Sequence, residues 1–354
     1  MKRIQTKICI LSFLAMNLVG IFVAYGEQPV RIVTDMAGDK VTLPLKVERV
    51  AVATYNYNEI LATLDVADKI VASPVTAQTR PWLFKTNPVL KNSIKTIINY
   101  DNINTEDLLN VKPDVLFMGI DEKSAIKYRS LGIAAIQLNF ADYDGLKKCV
   151  DLMGEVVGGK VKNNAKKYNA YLDSKIKMIT GLAAGIPDSQ KPKVIHLASL
   201  FPTLNVDGKS TIIDAWLKDC GAINGAEVNG NGKTVSMEQI LQWNPDVIVF
   251  GRIISANQIS ATNENSIFED PNWKQIKAVK NKKVFVNPDG AFSWDRYCAE
   301  SALQIQWLAK TLYPERFKNI DMIQETVGFF KTFMDYNLSK RDAVLMLEGK
   351  APED

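Results

Sequence analysis

Trp294-Asp295-Arg296-Tyr297 places two aromatic rings, a carboxylate and a guanidinium in four consecutive positions. A guanidinium offers a two-pronged donor to carboxylates and oxyanions, and aromatic walls suit a planar or anionic chelate. The same mixture recurs elsewhere. Tyr55 and Tyr57 follow the apolar residues 50–53, and Arg80 and Trp82 follow residues 70–73. Phe201 follows residues 193–199, and Arg252 follows residues 247–251. Each of these runs reads as a strand. Ligands of open parallel sheets bind beyond the carboxyl ends of the strands. Tyr55, Tyr57, Arg80, Trp82, Phe201, Arg252, Trp294, Arg296 and Tyr297 are therefore the candidate ligand-binding residues.

Catalysis lacks its parts. The single histidine, His196, falls inside the strand predicted over 193–199 and reads as a core residue. Asp114 and Asp246 each follow a proline at the start of a strand, away from the ligand end, and read as turn residues. GxSxG, HExxH, Walker and GxGxxG patterns are absent. Acid–base or hydrolytic chemistry has no set of groups to run on, so the chain is expected to bind rather than transform.

The elements that must position these residues come in two copies. Asn104-Thr105-Glu106-Asp107-Leu108-Leu109, then Lys112-Pro113-Asp114-Val115-Leu116-Phe117-Met118-Gly119, returns as Ser236-Met237-Glu238-Gln239-Ile240-Leu241, then Asn244-Pro245-Asp246-Val247-Ile248-Val249-Phe250-Gly251. One offset, 132 positions, separates Glu106 from Glu238, Pro113 from Pro245 and Gly119 from Gly251. Two copies at a domain-sized period predict two similar lobes, not a solenoid. Strands alternate with helices around each copy, which predicts parallel sheets covered by helices. Strands are expected over 50–53, 70–73, 115–118, 135–138, 193–199 and 284–286. Helices are expected over 58–64, 105–110, 125–131 and 212–217, and at the end over 300–312 and 322–336. Gly38-Asp39 marks a hairpin, and residues 74–88 read as a loop. Val161, Ala165, Tyr168, Leu172, Ile176 and Ile179 form one apolar stripe at helical spacing. That long helix is enough to run from one lobe to the next.

Glu106 and Glu238 admit two readings. A carboxylate in the first turn of a helix is favoured by the helix dipole, and Ser236 with Gln239 fits a capping box. Two glutamates at matched places on two lobes would also present paired anions to a partner carrying matched cations.

Lys2, Arg3 and Lys7 precede an apolar run over 8–23, and Ala24-Tyr25-Gly26 offers small residues for cleavage. The reading is a secretory signal peptide over 1–26; an uncleaved anchor is the alternative. Removing the leader takes the formal charge from +4 to +1. No single-sign run remains, so nucleic acid and anionic membrane are poor partners. Cys149, Cys220 and Cys298 remain, an odd number without CxxC, and imply no metal cage. They read as three buried thiols or as one pair and a leftover.

The paired segments around Glu106–Pro113-Asp114 and Glu238–Pro245-Asp246 resemble the substrate-binding proteins of ABC importers for ferric siderophores, haem and cobalamin. Val50-Ala51-Val52-Ala53 with Asn58-Glu59-Ile60-Leu61-Ala62-Thr63-Leu64, and Trp307-Leu308-Ala309-Lys310-Thr311-Leu312-Tyr313-Pro314, share the resemblance. It implies an α/β fold of two Rossmann-like lobes with parallel sheets, joined by a single long helix, with a ligand cleft between them. The expected organisation is an N-terminal lobe over 27–155, a linking helix over 156–185 and a C-terminal lobe over 186–354. It implies that Glu106 and Glu238 dock on arginines of a permease dimer, which works with an ATPase. It also favours Trp294, Arg296 and Tyr297 as cleft residues. The expectation is a monomeric periplasmic receptor for an intact metal chelate, with no cofactor, no protein-bound metal, and a tyrosine such as Tyr297 near the chelate's metal. A molybdate-type oxyanion or nickel-chelate receptor is the alternative, and a chelate-processing enzyme is the alternative of another class.

Overall fold

Residues 29–200, 203–251 and 266–353 are described by the computed structural model. The leader, Phe201 and Arg252 lie outside them. The chain opens with a hairpin of β1 (Val30–Thr34) and β2 (Lys40–Pro44), turned at Gly38 with φ +92°. The first sheet follows: β3 (Val50–Val52), β4 (Ile70–Ser73), β5 (Thr96–Ile97), β6 (Val115–Met118) and β7 (Ala134–Gln137). Its order is β5-β4-β3-β6-β7, parallel throughout. Every residue of β3, β4, β6 and β7 is buried, as expected where helices cover both faces.

The second lobe builds β8 (Lys193–Ser199), β9 (Asn205–Asp207), β10 (Ile223–Asn224), β11 (Lys233–Thr234), β12 (Val247–Phe250) and β13 (Val284–Val286). Its order is β11-β9-β8-β12-β13, with β10 paired to the start of β8. This sheet keeps the expected parallel strands at its centre and adds an antiparallel edge. β10, β12 and β13 run parallel, but β9 turns straight back along the second half of β8, and β11 along β9.

The repeat governs how the central strands start. Lys112 and Asn244, at matched positions, both take positive φ, 43° and 42°. Two residues later the matched aspartates pin strand entry. Asp114 Oδ2 accepts the Glu48 and Arg49 N–H groups at 2.7 and 2.8 Å, and Asp246 Oδ2 accepts the Lys193 N–H at 2.8 Å. Both are structural, as their place away from the ligand end implies.

The linking helix, Lys160–Ala183, buries Val161, Ala165, Tyr168, Leu172 and Ile179 and leaves Ile176 half-buried. A helix absent from the sequence reading, Tyr143–Val157, packs along it. A Cβ on Gly154 would lie 2.7 Å from the Ala165 Cβ, so only glycine permits this approach. Residues 74–88 also contain a helix, Pro81–Thr86, begun by a proline at its first position, where no N–H is missed.

Three helices close the chain: Ser301–Leu312, Met322–Met334 and Lys340–Leu347. The last two return to the first lobe. Lys85 pairs with Asp342 at 3.0 Å, and Trp82 Nε1 donates to the Lys350 carbonyl at 2.8 Å. The end of the chain therefore packs against the first lobe. One hydrophobic cluster runs through both lobes and the linking helix, from Val50 and Phe117 through Tyr168 to Val249 and Leu303. The outer faces of the sheets hold two separate clusters.

Candidate functional site

In the first sheet β4 and β5 extend to one side of β3, and β6 and β7 to the other. In the second, β9 and β10 flank one edge of β8 while β12 and β13 continue from the other. A crevice forms where the direction of strand addition reverses. The two crevices face each other and make one cleft of about 1100 Å³. Thr54, Tyr55, Asn56 and Tyr57 reach it after β3, Tyr100 after β5, Gly119 and Ile120 after β6, and Asn139 and Phe140 after β7. The second lobe contributes Ser199, Thr203, Asn205, Ser210, Asn231, Phe292, Arg296 and Tyr297.

Four of the sequence candidates line this cleft. Tyr55 packs its ring 5.5 Å from that of Tyr100. Tyr57 is buried, and its hydroxyl donates to the Leu138 carbonyl at 2.8 Å; burial pushes this phenol well above its usual range. Tyr297 meets Phe140 edge-on at 5.3 Å, and its hydroxyl accepts from Asn231 Nδ2 at 2.6 Å. Its carbonyl accepts from Asn56 Nδ2 at 2.7 Å, one of the bonds that join the lobes.

Arg296 is the fourth. Its Nη1 donates to Asp207 Oδ2 at 2.9 Å, and its Nε stands 3.6 Å from Asp295 Oδ2. The same two oxygens flank His196: Nδ1 lies 2.8 Å from Asp207 Oδ2 and Nε2 lies 3.0 Å from Asp295 Oδ2. His196, Asp207 and Asp295 are wholly buried. Burial would depress the imidazole's basicity, but the two carboxylates outweigh it and the value is raised. For Asp207 burial acts upward, and Arg296 with His196 overcomes it, holding the acid well below the carboxylate range. Gly251 closes the back of this group. A Cβ there would come within 2.5 Å of His196 Cε1 and 2.7 Å of Asp295 Oδ2.

Three candidates do not line the cleft, for packing reasons. Trp294 is fully buried and turns its Nε1 onto Glu300 at 3.1 Å. Trp82 is buried under the C-terminal helices. Arg80 sits behind the wall, its guanidinium 4.3 Å from the centre of the Phe292 ring; burial lowers its basicity, and the charges of Asp289 and Asp295 act against that. The sequence reading passed over Tyr100, Asn231 and the partnership of His196 with Asp207. Tyr100 carried a signal, since it follows the short strand β5. Asp207 carried none, because its role depends on an antiparallel return that no local pattern announces.

Glu106 and Glu238 are both exposed, each the second residue of a short helix, Thr105–Asn110 and Met237–Trp243. Asn104 caps the first helix and a full capping box closes the second, so neither glutamate is needed as the cap. Cys149, Cys220 and Cys298 are all free and buried. Among the described residues no group of three or more histidine, cysteine or acidic side chains is placed to hold a metal, and no helix is long and apolar enough to cross a membrane.

A family model described as periplasmic binding protein matches residues 50–291. The molybdate-binding protein MolA of Haemophilus influenzae is 28% identical over 330 residues, covering 86% of this chain and 90% of that protein. The structure of MolA with molybdate bound superposes with a TM-score of 0.75 at 25% identity, covering 87% of this chain and 99% of that one. A periplasmic solute binding protein from Veillonella parvula gives a TM-score of 0.77 at 25% identity, with 90% and 97% covered. The high-affinity haem uptake protein IsdE of Staphylococcus aureus is 25% identical over 227 residues, 63% of this chain and 74% of that protein. These relatives are binding and uptake proteins, not enzymes.

Proposed function

The chain belongs to the periplasmic binding protein family, and on that premise we propose that it delivers a metal–chelate complex, of the iron–siderophore, haem or cobalamin kind, to an ABC importer. The observation that carries this reading is the cleft itself. Its volume of about 1100 Å³ is walled by Tyr55, Tyr57, Tyr100, Phe140, Phe292 and Tyr297, with the Arg296 guanidinium among them. Pockets for organic ligands run to roughly 300–1,000 Å³ and pair apolar walls with a few placed polar groups. A bare tetrahedral oxyanion would leave most of this space open.

A molybdate-type oxyanion is the second reading. The similarity to MolA along most of both chains favours it, as do the hydroxyl and amide groups of Thr203, Asn205, Ser210 and Asn231 in the wall. Native mass spectrometry with elemental analysis, on protein purified from its own host, separates the two. An organic ligand bearing iron or cobalt supports the chelate. Molybdenum or tungsten without an organic mass replaces it with the oxyanion.

Glu106 and Glu238 serve as docking points for the permease dimer, one on each lobe, at the same helical position and both exposed. The leader over 1–26 sends the chain to the periplasm, where it works as a monomer.

A further inference from the structure

Around His196 the charges alternate in a closed ring. Asp207 Oδ2 takes His196 Nδ1 at 2.8 Å and Arg296 Nη1 at 2.9 Å. Asp295 Oδ2 faces His196 Nε2 at 3.0 Å and Arg296 Nε at 3.6 Å. A neutral imidazole has one N–H and one lone pair. Whichever tautomer it took, the bare nitrogen would sit at hydrogen-bond distance from a buried carboxylate oxygen, lone pair against lone pair. With both carboxylates ionised, only the doubly protonated ring satisfies both contacts. Charge count agrees: with imidazolium, two cations balance two anions in a group whose histidine and carboxylates are wholly buried, and without it the ring carries a net negative charge just behind the cleft. An uncompensated buried charge is costly.

We propose that His196 is a positioning residue for the cleft: held as imidazolium between Asp207 and Asp295, it fixes both carboxylates in the ring that presents Arg296 to an anionic ligand. The inference rests on the cleft reading above. Arg296 turns Nη1 and Nε to the aspartates, and the residue also lines the cleft. An anionic oxygen, whether from a chelate's carboxylate or catecholate or from an oxyanion, meets those donors over a neutral ring. Deprotonation of His196 sets an unbalanced carboxylate against the same ligand. Around His196 stand Asp207 from β9, Asp295 and Arg296 from the loop after β13, the uncharged Trp216 ring at 5.9 Å, and Gly251 after β12. Arg80 reaches the group through the Asp295 charge.

Because the chain has one histidine, imidazole ¹⁵N resonances of the mature, untagged, unliganded protein need no assignment. At pH 7.5 both nitrogens should show protonated shifts, with titration only on the alkaline side; one nitrogen in the bare-lone-pair range overturns the proposal. For the ligand arm the probe is sodium molybdate, a dianion across pH 6–9.5. Wild-type affinity should fall toward alkaline pH. In His196→Gln it should be weaker by roughly 10-fold or more and flat with pH, as loss of a charge-assisted arrangement implies. A variant with wild-type affinity and pH profile overturns the proposal. If the variant does not fold, the resonances of the native protein decide alone. If molybdate does not bind the wild type, the oxyanion reading falls while the resonances still judge the ring.

Discussion

Glu59, in the first lobe, accepts the backbone N–H of Ala299, in the second, at 2.8 Å. Beside it, Glu300 folds the cleft segment by accepting from the Ala291 and Phe292 N–H groups at 3.2 and 2.7 Å and from Trp294 Nε1. Arg296 and Tyr297 lie on the stretch these two carboxyls fasten. Tyr168 of the linking helix adds its hydroxyl to the Ala299 carbonyl at 2.8 Å. The cleft segment is thus anchored to both lobes and to the helix between them, above a core the lobes share.

That anchoring gives stability a pH slope. Burial raises Glu59 to about 8, and burial with the nearby Glu59 charge raises Glu300 well above its usual value. The unfolded chain releases these protons near 4.5, so between about 4.5 and 8 it binds fewer than the folded one, and stability falls as pH rises. His196, raised above 6.5, contributes stability that is complete below 6.5 and lost as pH climbs through its folded value. Both slopes have one sign. The melting temperature of unliganded protein should drop steadily from pH 5 to 9. Glu59→Gln should flatten the curve and add about 2–4 kcal/mol at pH 8.5. A melting temperature that climbs into the alkaline range would refute this.

Arg296→Ala should weaken ligand binding by about 1.5–3 kcal/mol, the scale of one hydrogen bond to a charged group. It should also lower the melting temperature, since Asp207 loses its guanidinium. Calorimetric titration with the native ligand checks the first effect, and unchanged affinity would remove Arg296 from the site.

Replacing Glu106 and Glu238 together with alanine should abolish uptake in cells and leave ligand affinity and melting temperature as they were, because both side chains are exposed and neither caps its helix. Lost affinity in the purified double variant would defeat the docking role.

Gly251→Ala drives a methyl into His196 and Asp295. Overpacking of this kind costs about 1–3 kcal/mol. The imidazole resonances should shift as the ring is forced open. The same change at Gly119, its counterpart in the repeat, meets nothing within 4 Å among the described residues and should be tolerated. Equal losses at both positions would mean the space behind Gly251 is not what matters.

Local pattern sufficed where the physics is local. The repeat, the strand Val115–Met118, the helix Thr105–Asn110 and the apolar stripe of the linking helix follow from spacing along the chain, and so does the placement of Tyr55, Tyr57, Arg296 and Tyr297 after strands. The helix Tyr143–Val157 was legible in principle: Asp142 caps it, and Leu146, Cys149, Val150 and Met153 make its buried face. Direction of a side chain was not legible. Trp294 and Arg296 are two residues apart in one aromatic, charged loop, yet Trp294 turns inward to Glu300 while Arg296 meets the cleft. What sends them opposite ways is a carboxylate six residues downstream and an aspartate on a strand 89 residues upstream. His196 shows the same division. Composition and periodicity made it a core residue, as it is. Only the return of β9 and the loop after β13 put a carboxylate on each of its nitrogens, because charge pairing over such separations is set by which chain segments pack together, not by neighbours in sequence.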